Sequence, residues 1–182
     1  MKGAGSKTLD MVHIALFAVV MAICSWIVIP MAVPFTLQTF GVFLAVLVLG
    51  GKRGTFAVLL YILMGSIGMP VFSGFTGGVG VLLGYTGGYI MGFLLIAITM
   101  WFLERVFGKN TPVCWISMVL GLLLCYSFGT FWYVAVYARG SGEIGMAAVL
   151  SACVFPFVIP DLIKMILAMS VRKRLSKVIR SF

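Results

Sequence analysis

The feature that most constrains this chain is a series of apolar runs, each separated from the next by a short polar turn. Hydrophobic residues make up 63% of the 182 residues and charged residues only 9%, which leaves too little polar surface to cover a water-soluble domain. At about 20 residues per crossing, the length allows six helices and no second domain. The sequence therefore predicts an all-α integral membrane protein, a single six-transmembrane-helix bundle over residues 1–182.

The predicted crossings are bounded by prolines, glycines and charged turns. We place them at residues 11–29, 38–50, 54–69, 86–107, 113–138 and 147–171. The tail, 171–182, has apolar and basic residues on opposite helical faces, so we expect it to lie on the membrane surface. Pro156 and Pro160 fall inside the last run, and we expect that helix to be broken just before Asp161.

The cations are distributed unevenly over the predicted turns. Six crossings put both termini on one side, and that side carries every lysine and arginine except Arg139 and Lys164. Because cytoplasmic loops carry the excess of positive charge, we predict cytoplasmic N and C termini and external loops at 34–40 and 73–85. The net charge of +9 then reflects topology, and no extended basic face or motif indicates binding to nucleic acid.

Asp161 and Lys164 are the acidic and basic residues that fall well inside a predicted crossing. Each costs roughly 2.5–3.5 kcal/mol to insert into a membrane, so such charges usually face a partner or a cavity. At a spacing of three they share one helical face. On the residues alone, a structural ion pair and a pair that grips a ligand are about equally good interpretations.

The first predicted external loop, 34–40, combines the aromatic ring of Phe35 with the uncharged polar groups of Thr36 and Gln38. That mixture suits an organic molecule with a polar head and an apolar body. The alternative is an interfacial loop with aromatic anchors.

The second external segment, 73–89, is rich in glycine and carries Phe75 and the hydroxyls of Thr76 and Tyr89. We expect a loop up to about Gly84, whose backbone N–H groups can receive an anionic group. The glycines also occur at spacings typical of helix packing, which we favour for those after Gly84.

The chain lacks the residues that an enzyme or an ATPase would need. It contains no phosphate-binding loop of the form G-x-x-x-x-G-K-[ST]. Its four cysteines have neither zinc nor disulfide spacing, and the single histidine, His13, has no partners spaced for catalysis. We therefore predict that the protein is not an enzyme and binds no metal or cofactor.

Four motifs occur in order over nearly the whole chain, at residues 33–41, 68–78, 84–89 and 160–164. They read VPFTLQTFG, GMPVFSGFTGG, GYTGGY and PDLIK. Together they resemble the BioY family, the biotin-specific S components of energy-coupling-factor (ECF) transporters. The resemblance implies a six-helix bundle in a prokaryotic-type cell (plasma) membrane that captures biotin from outside. It also implies two kinds of partner, a transmembrane coupling protein (T component) and two cytoplasmic ATPases.

The resemblance also implies which residues bind biotin. The ureido ring of biotin has two N–H donors and a carbonyl acceptor, and a carboxylate with an ammonium supplies the complementary groups. Aromatic rings are expected beside the thiophane ring and the valeryl chain, and neutral donors beside the valerate carboxylate. The predicted ligand-binding residues are Asp161, Lys164, Gln38, Thr36, Phe35, Phe75, Thr76 and Tyr89.

Small residues of the first helix dock on the coupling protein in this family, and Ala18 and Ala22 match that pattern. Packing inside the bundle is the alternative for this pair. The function predicted first is the biotin-binding subunit of an ATP-driven importer. The alternative is a stand-alone secondary transporter of biotin or a similar small organic molecule, with Asp161 as a proton site.

Overall fold

The computed structural model describes residues 4–30, 34–140 and 145–179. Helices make up most of this described part, as the composition predicts. The elements are α1 (Ala4–Trp26), β1 (Val28–Ile29), β2 (Phe35–Thr36), α2 (Gln38–Leu49), α3 (Gly51–Ser66), a 3-10 turn (Ser73–Phe75), α4 (Val79–Leu83), α5 (Gly87–Phe107), α6 (Thr111–Gly140), α7 (Met146–Cys153) and α8 (Phe155–Ile179). The two strands form one short antiparallel pair.

Within the described residues, four helical stretches are long and apolar enough to cross a membrane. They are Lys7–Trp26, Gly87–Phe107, Thr111–Ala138 and Ala147–Leu175. The helices α2 and α3 have 12 and 16 residues, about 18 and 24 Å at 1.5 Å per residue, which is less than the ~30 Å hydrocarbon core of a bilayer. The structure is that of a helical membrane protein, and the expectation of six crossings stays a prediction.

One end of the bundle, called here the basic end, is held by polar contacts between distant parts of the chain. The Gly51 N–H at the start of α3 donates to Glu104 Oε2 near the end of α5 at 2.7 Å. Arg53 pairs with Asp10 of α1 at 2.9 Å. These contacts fix α3 antiparallel to α5, because the start of one helix meets the end of the other.

At the opposite end, the segment after α3 is tied to α1 and α3. The Val71 carbonyl accepts hydrogen bonds from Ser25 Oγ at 2.6 Å and from the Tyr61 hydroxyl at 2.9 Å. The ring of Phe72 is fully buried and lies against α3 where Gly65 has no side chain. These contacts hold the glycine-rich segment on the bundle. The sequence predicts a loop up to about Gly84, but the chain forms a 3-10 turn and α4 there.

Among the described helices, α5 and α6 make the most extensive contact with each other. Their close approach depends on glycines: a Cβ atom at Gly88 of α5 would overlap the Trp132 side chain, and one at Gly129 of α6 would overlap the ring of Tyr89. The four cysteines are free and buried.

The last predicted crossing is interrupted, but earlier than we expected. The break lies at Val154, where the backbone leaves helical geometry (φ −123°, ψ −58°), and α8 then runs through Pro160 and Asp161. Pro156 lies in the first turn of α8, where a proline needs no N–H partner. The expected break just before Asp161 is therefore wrong.

The tail forms the end of α8 up to Ile179, continuous with the last crossing. Its placement on the membrane surface stays a prediction, and residues 180–182 lie outside the described residues.

The two alanines singled out in α1 face inward. Ala18 and Ala22 are 0% and 3% exposed and belong to the hydrophobic core, so in this structure neither is available to a partner. This burial favours the alternative of internal packing, and the assignment of these two alanines to partner binding stays a prediction. The outer face of α1 carries Val19 and Ile23 instead.

Candidate ligand-binding site

A cavity of about 130 Å³ lies at the end of the bundle opposite the basic end. Its walls come from the segment before α2, the glycine-rich segment, and helices α2, α5, α6, α7 and α8. Six of the predicted ligand-binding residues line it: Asp161, Lys164, Gln38, Thr36, Thr76 and Tyr89. Thr36 and Lys164, which are 128 positions apart in the chain, therefore meet around one space.

The floor of the cavity carries a buried ion pair. Lys164 Nζ lies 2.7 Å from Asp161 Oδ1, and the two side chains are 4% and 3% exposed. Both residues lie on one face of α8, as their spacing predicts. Because each charge is compensated by the other at short distance, burying them costs less than burying either alone.

Two hydroxyl groups from other helices complete this pair. Thr39 Oγ1, in the first turn of α2, donates to Asp161 Oδ1 at 2.8 Å and accepts from Lys164 Nζ at 3.0 Å. The Tyr126 hydroxyl of α6 donates to Asp161 Oδ2 in a short hydrogen bond. The carboxylate is thereby fixed from three sides, and its direction does not depend on the ion pair alone.

Phe35 does not line the cavity itself, but it contacts the ion pair. Lys164 Nζ lies 4.4 Å from the centroid of its ring, within the range of a cation–π interaction. The ring also stacks on Phe157 with centroids 6.2 Å apart. Phe35 thus contacts the ammonium group of the pair without lining the cavity.

Thr36 and Gln38 belong to a second polar chain in the cavity wall. Thr36 Oγ1 donates to Gln38 Oε1 at 2.9 Å, and Gln38 Nε2 donates to the Tyr61 hydroxyl at 2.6 Å. Both side chains are buried. Their principal hydrogen-bonding groups are therefore engaged within the protein.

The glycine-rich segment and α5 provide the remaining polar groups. Thr76 Oγ1 donates to the Ser73 carbonyl at 2.9 Å, and the Tyr89 and Thr130 hydroxyls lie 3.2 Å apart. Thr86, at the start of α5, also lines the cavity. These residues offer hydroxyl groups to a ligand. Among the described lining residues, the charged side chains are those of Asp161 and Lys164.

Phe75 lies outside the cavity, contrary to our expectation. Its backbone is left-handed (φ +58°), directly after Gly74 (φ +69°), and its ring is 63% exposed. The ring stacks on Trp26 at the end of α1, with centroids 5.0 Å apart. The turn carries the ring toward α1, and its contact with a ligand stays a prediction.

Two residues of the polar network, Thr39 and Tyr126, were not among the predicted site residues. Thr39 lies next to Gln38 in a stretch already singled out, so the sequence contained a signal for it. Tyr126 lies inside the apolar run of α6, 35 positions from Asp161, and no local pattern distinguishes it from a lipid-facing aromatic residue.

The comparisons with known proteins agree with one another over almost the full length. The family model described as "BioY family" matches residues 1–181. The "Biotin transporter BioY" of Thermotoga maritima is 40% identical over 171 residues, 92% of this chain and 96% of that protein. The "Probable biotin transporter BioY" of Pyrococcus horikoshii is 36% identical over 170 residues, 93% and 97% of the two chains. A crystal structure of "the S-component for biotin from an ECF-type ABC transporter" matches with a TM-score of 0.83 at 25% identity, covering 97% of this chain and 95% of that one.

Proposed function

The chain belongs to the BioY family, whose members are transporter S components and not enzymes, and from this premise we propose that it is the biotin-binding S component of an ECF-type transporter. The observation that carries the proposal is the buried Asp161–Lys164 pair on the floor of a cavity in such a chain. We propose that this pair binds the ureido ring of biotin.

The unused hydrogen-bonding capacity of the pair supports this pose. A carboxylate has about four acceptor sites, and Thr39, Lys164 and Tyr126 take three on Asp161. An ammonium has three donors, and Asp161 and Thr39 accept two from Lys164. One acceptor and one donor remain, which complement an N–H group and the carbonyl next to it in a cyclic urea.

The rest of the cavity suits the rest of the molecule. Ile90, Phe93 and Phe157 provide apolar surface beside the floor, where we propose that the thiophane ring and valeryl chain pack. The hydroxyls of Thr76 and Thr86 also line the cavity, and we propose that they bind the valerate carboxylate as neutral donors. Thr76 would give up its hydrogen bond to the Ser73 carbonyl to do so.

The wider transport function is also part of the proposal. The sequence contains no phosphate-binding loop, so we infer that ATP hydrolysis comes from partners, a transmembrane T component and two cytoplasmic ATPases. We propose that the protein crosses the plasma membrane six times, with α2 and α3 as two crossings in addition to the four long helical stretches. Both termini and the basic end are then cytoplasmic. The positive-inside rule supports this orientation.

Two experiments test the proposal. Isothermal titration of the purified protein should detect biotin and not riboflavin, a vitamin of different shape and chemistry; failure to bind biotin would reject the ligand assignment. Biotin uptake should then require cells that contain the T component and the ATPases. Uptake that persists without them and survives ATP depletion would favour the alternative of a stand-alone secondary transporter.

A further inference from the structure

A second opening lies on the side of α6, next to the break between α7 and α8. This lateral crevice has a volume of about 310 Å³. Its apolar walls are formed by Leu123 and Phe131 of α6, Leu150 of α7, and Val154 at the break. It is distinct from the cavity above the ion pair, which lies on the inner side of α6.

The crevice lies at membrane depth. Its residues fall within the stretches Thr111–Ala138 and Ala147–Leu175, which are long and apolar enough to span a bilayer. Leu123 and Phe131 beside it are 55% and 69% exposed. The surroundings of the crevice are therefore the hydrocarbon chains of the membrane rather than water.

The hydroxyl groups that line the crevice are already hydrogen-bonded. Ser127 Oγ donates to the Leu123 carbonyl at 2.9 Å, Thr130 Oγ1 lies 3.2 Å from the Tyr89 hydroxyl, and the Tyr126 hydroxyl donates to Asp161. A polar ligand would have to replace these bonds, whereas an apolar chain loses nothing by entering. The chemistry of the crevice thus selects a hydrocarbon chain.

Tyr126 lines both the crevice and the cavity, so its side chain belongs to the wall between the two spaces. Its hydroxyl holds Asp161 Oδ2, the atom with a free acceptor site. An empty space on the outer side of the ring would leave its atoms without van der Waals partners. Whatever fills the crevice therefore supports the ring in the position that orients the carboxylate.

We propose that an acyl chain of a bilayer lipid occupies the lateral crevice and supports Tyr126 from the side opposite the ligand cavity. The occupant is a chain rather than a headgroup, because the crevice lies within the apolar stretches and its polar groups are engaged. Occupancy by the chain does not depend on the proposed function. Its coupling to Asp161 does rest on the proposed biotin site, and the two are tested separately.

Occupancy is measured without biotin by tryptophan fluorescence in nanodiscs that contain increasing fractions of a phosphatidylcholine with brominated acyl chains. Phe131→Trp places a reporter at the crevice. Ile159→Trp is the control, since Ile159 is 71% exposed, close to the 69% of Phe131, and does not line the crevice. After the fluorescence of the wild-type protein is subtracted, the Phe131→Trp reporter should be half-quenched at a lower mole fraction of brominated lipid than the Ile159→Trp control. Equal curves would overturn the proposal.

A filling variant confirms the place of binding. Leu150→Phe adds a ring inside the crevice, and it should bring the quenching curve of the Phe131→Trp reporter to that of the control. A curve unchanged by Leu150→Phe would show that the chain lies elsewhere and would reject the crevice.

Support of Tyr126 is tested by adding saturating biotin. Coupled sites act on each other reciprocally, so biotin should lower the half-quenching fraction, by about fivefold at the lower end of typical coupling energies. A curve that biotin leaves unchanged, although titration shows that biotin binds, would disprove the support of Tyr126. Absence of biotin binding would instead reject the proposed function and leave the occupancy result intact.

Discussion

Replacing Lys164 with methionine removes the ammonium from the buried pair and leaves the Asp161 carboxylate with two hydroxyl donors. The pair has an N···O distance of 2.7 Å and side chains that are 4% and 3% exposed. Removing one partner of a buried ion pair costs about 3–5 kcal/mol. Because the hydroxyls of Thr39 and Tyr126 still bind the carboxylate, we expect the lower end of that range.

The size of the chain converts this cost into a melting temperature. For 150–250 residues a loss of 1 kcal/mol lowers the midpoint by about 2–4 °C, so Lys164→Met should melt roughly 6–12 °C below the wild type. The double variant Asp161→Asn/Lys164→Met has no unpaired charge, and it should recover most of this loss because uncharged substitutes for a buried pair are often neutral.

Binding should not follow stability in this series. A hydrogen bond to a charged group contributes about 1.5–3 kcal/mol, so loss of the Lys164 donor should weaken biotin binding by roughly 10- to 100-fold. The double variant should bind no better than the single variant, although it is more stable. This separation distinguishes a recognition pair from a structural pair, which would lose and recover both properties together.

Thermal unfolding is measured in detergent, with size-exclusion chromatography as the readout of the folded fraction at each temperature. Isothermal titration of biotin is carried out on the same samples. Lys52→Met is the matched control, because Lys52 is exposed and lies at the basic end; it should match the wild type in both measurements. If Lys164→Met melts and binds like the wild type, the account of the ion pair is wrong.

Two further predictions concern residues around the site. Tyr126→Phe keeps the ring and removes the donor to Asp161, so biotin affinity measured by titration should fall about 10-fold; unchanged affinity would show that this hydrogen bond does not orient the carboxylate. Gly65→Ala would place a methyl group on the buried ring of Phe72 and should cost about 1–3 kcal/mol in thermal unfolding. Gly80→Ala, which meets nothing within 4 Å, is its control, and equal melting of the two variants would contradict the packing argument.

The sequence predicted those parts of the site whose residues are unusual in their position along the chain, whatever the fold. Charges are costly in an apolar run, so Asp161 and Lys164 were identifiable without any structure. Composition did not separate Thr36 and Gln38 from an interfacial loop, and the glycines around Thr76 and Tyr89 also suited helix packing, but all four residues line the cavity. Whether they bind a ligand stays a prediction.

Two assignments differ from where the structure places the side chains, and they share a physical origin, since local patterns do not give the direction of a side chain. Ala18 and Ala22 have the same spacing whether they pack inside the bundle or against a partner, and the structure buries them. Phe75 was placed in the site by the composition of its loop, but a left-handed turn carries its ring to Trp26.

The helix break and the role of Tyr126 also required the fold. A proline can begin a helix or interrupt one, and in this chain Pro156 lies at the beginning of α8, after the break. Tyr126 reaches Asp161 only because the fold brings α6 and α8 together at the cavity. Contacts between residues so distant in sequence follow from packing rather than from any pattern along one helix.

The most direct test of the central claim is an experimental structure of the protein with biotin bound. We predict that biotin occupies the cavity, with a ureido N–H donating to Asp161 Oδ2 and the ureido oxygen accepting from Lys164 Nζ, both within about 3.2 Å. Biotin bound outside the cavity, or with its carboxylate rather than its ureido ring at Lys164, would contradict the account.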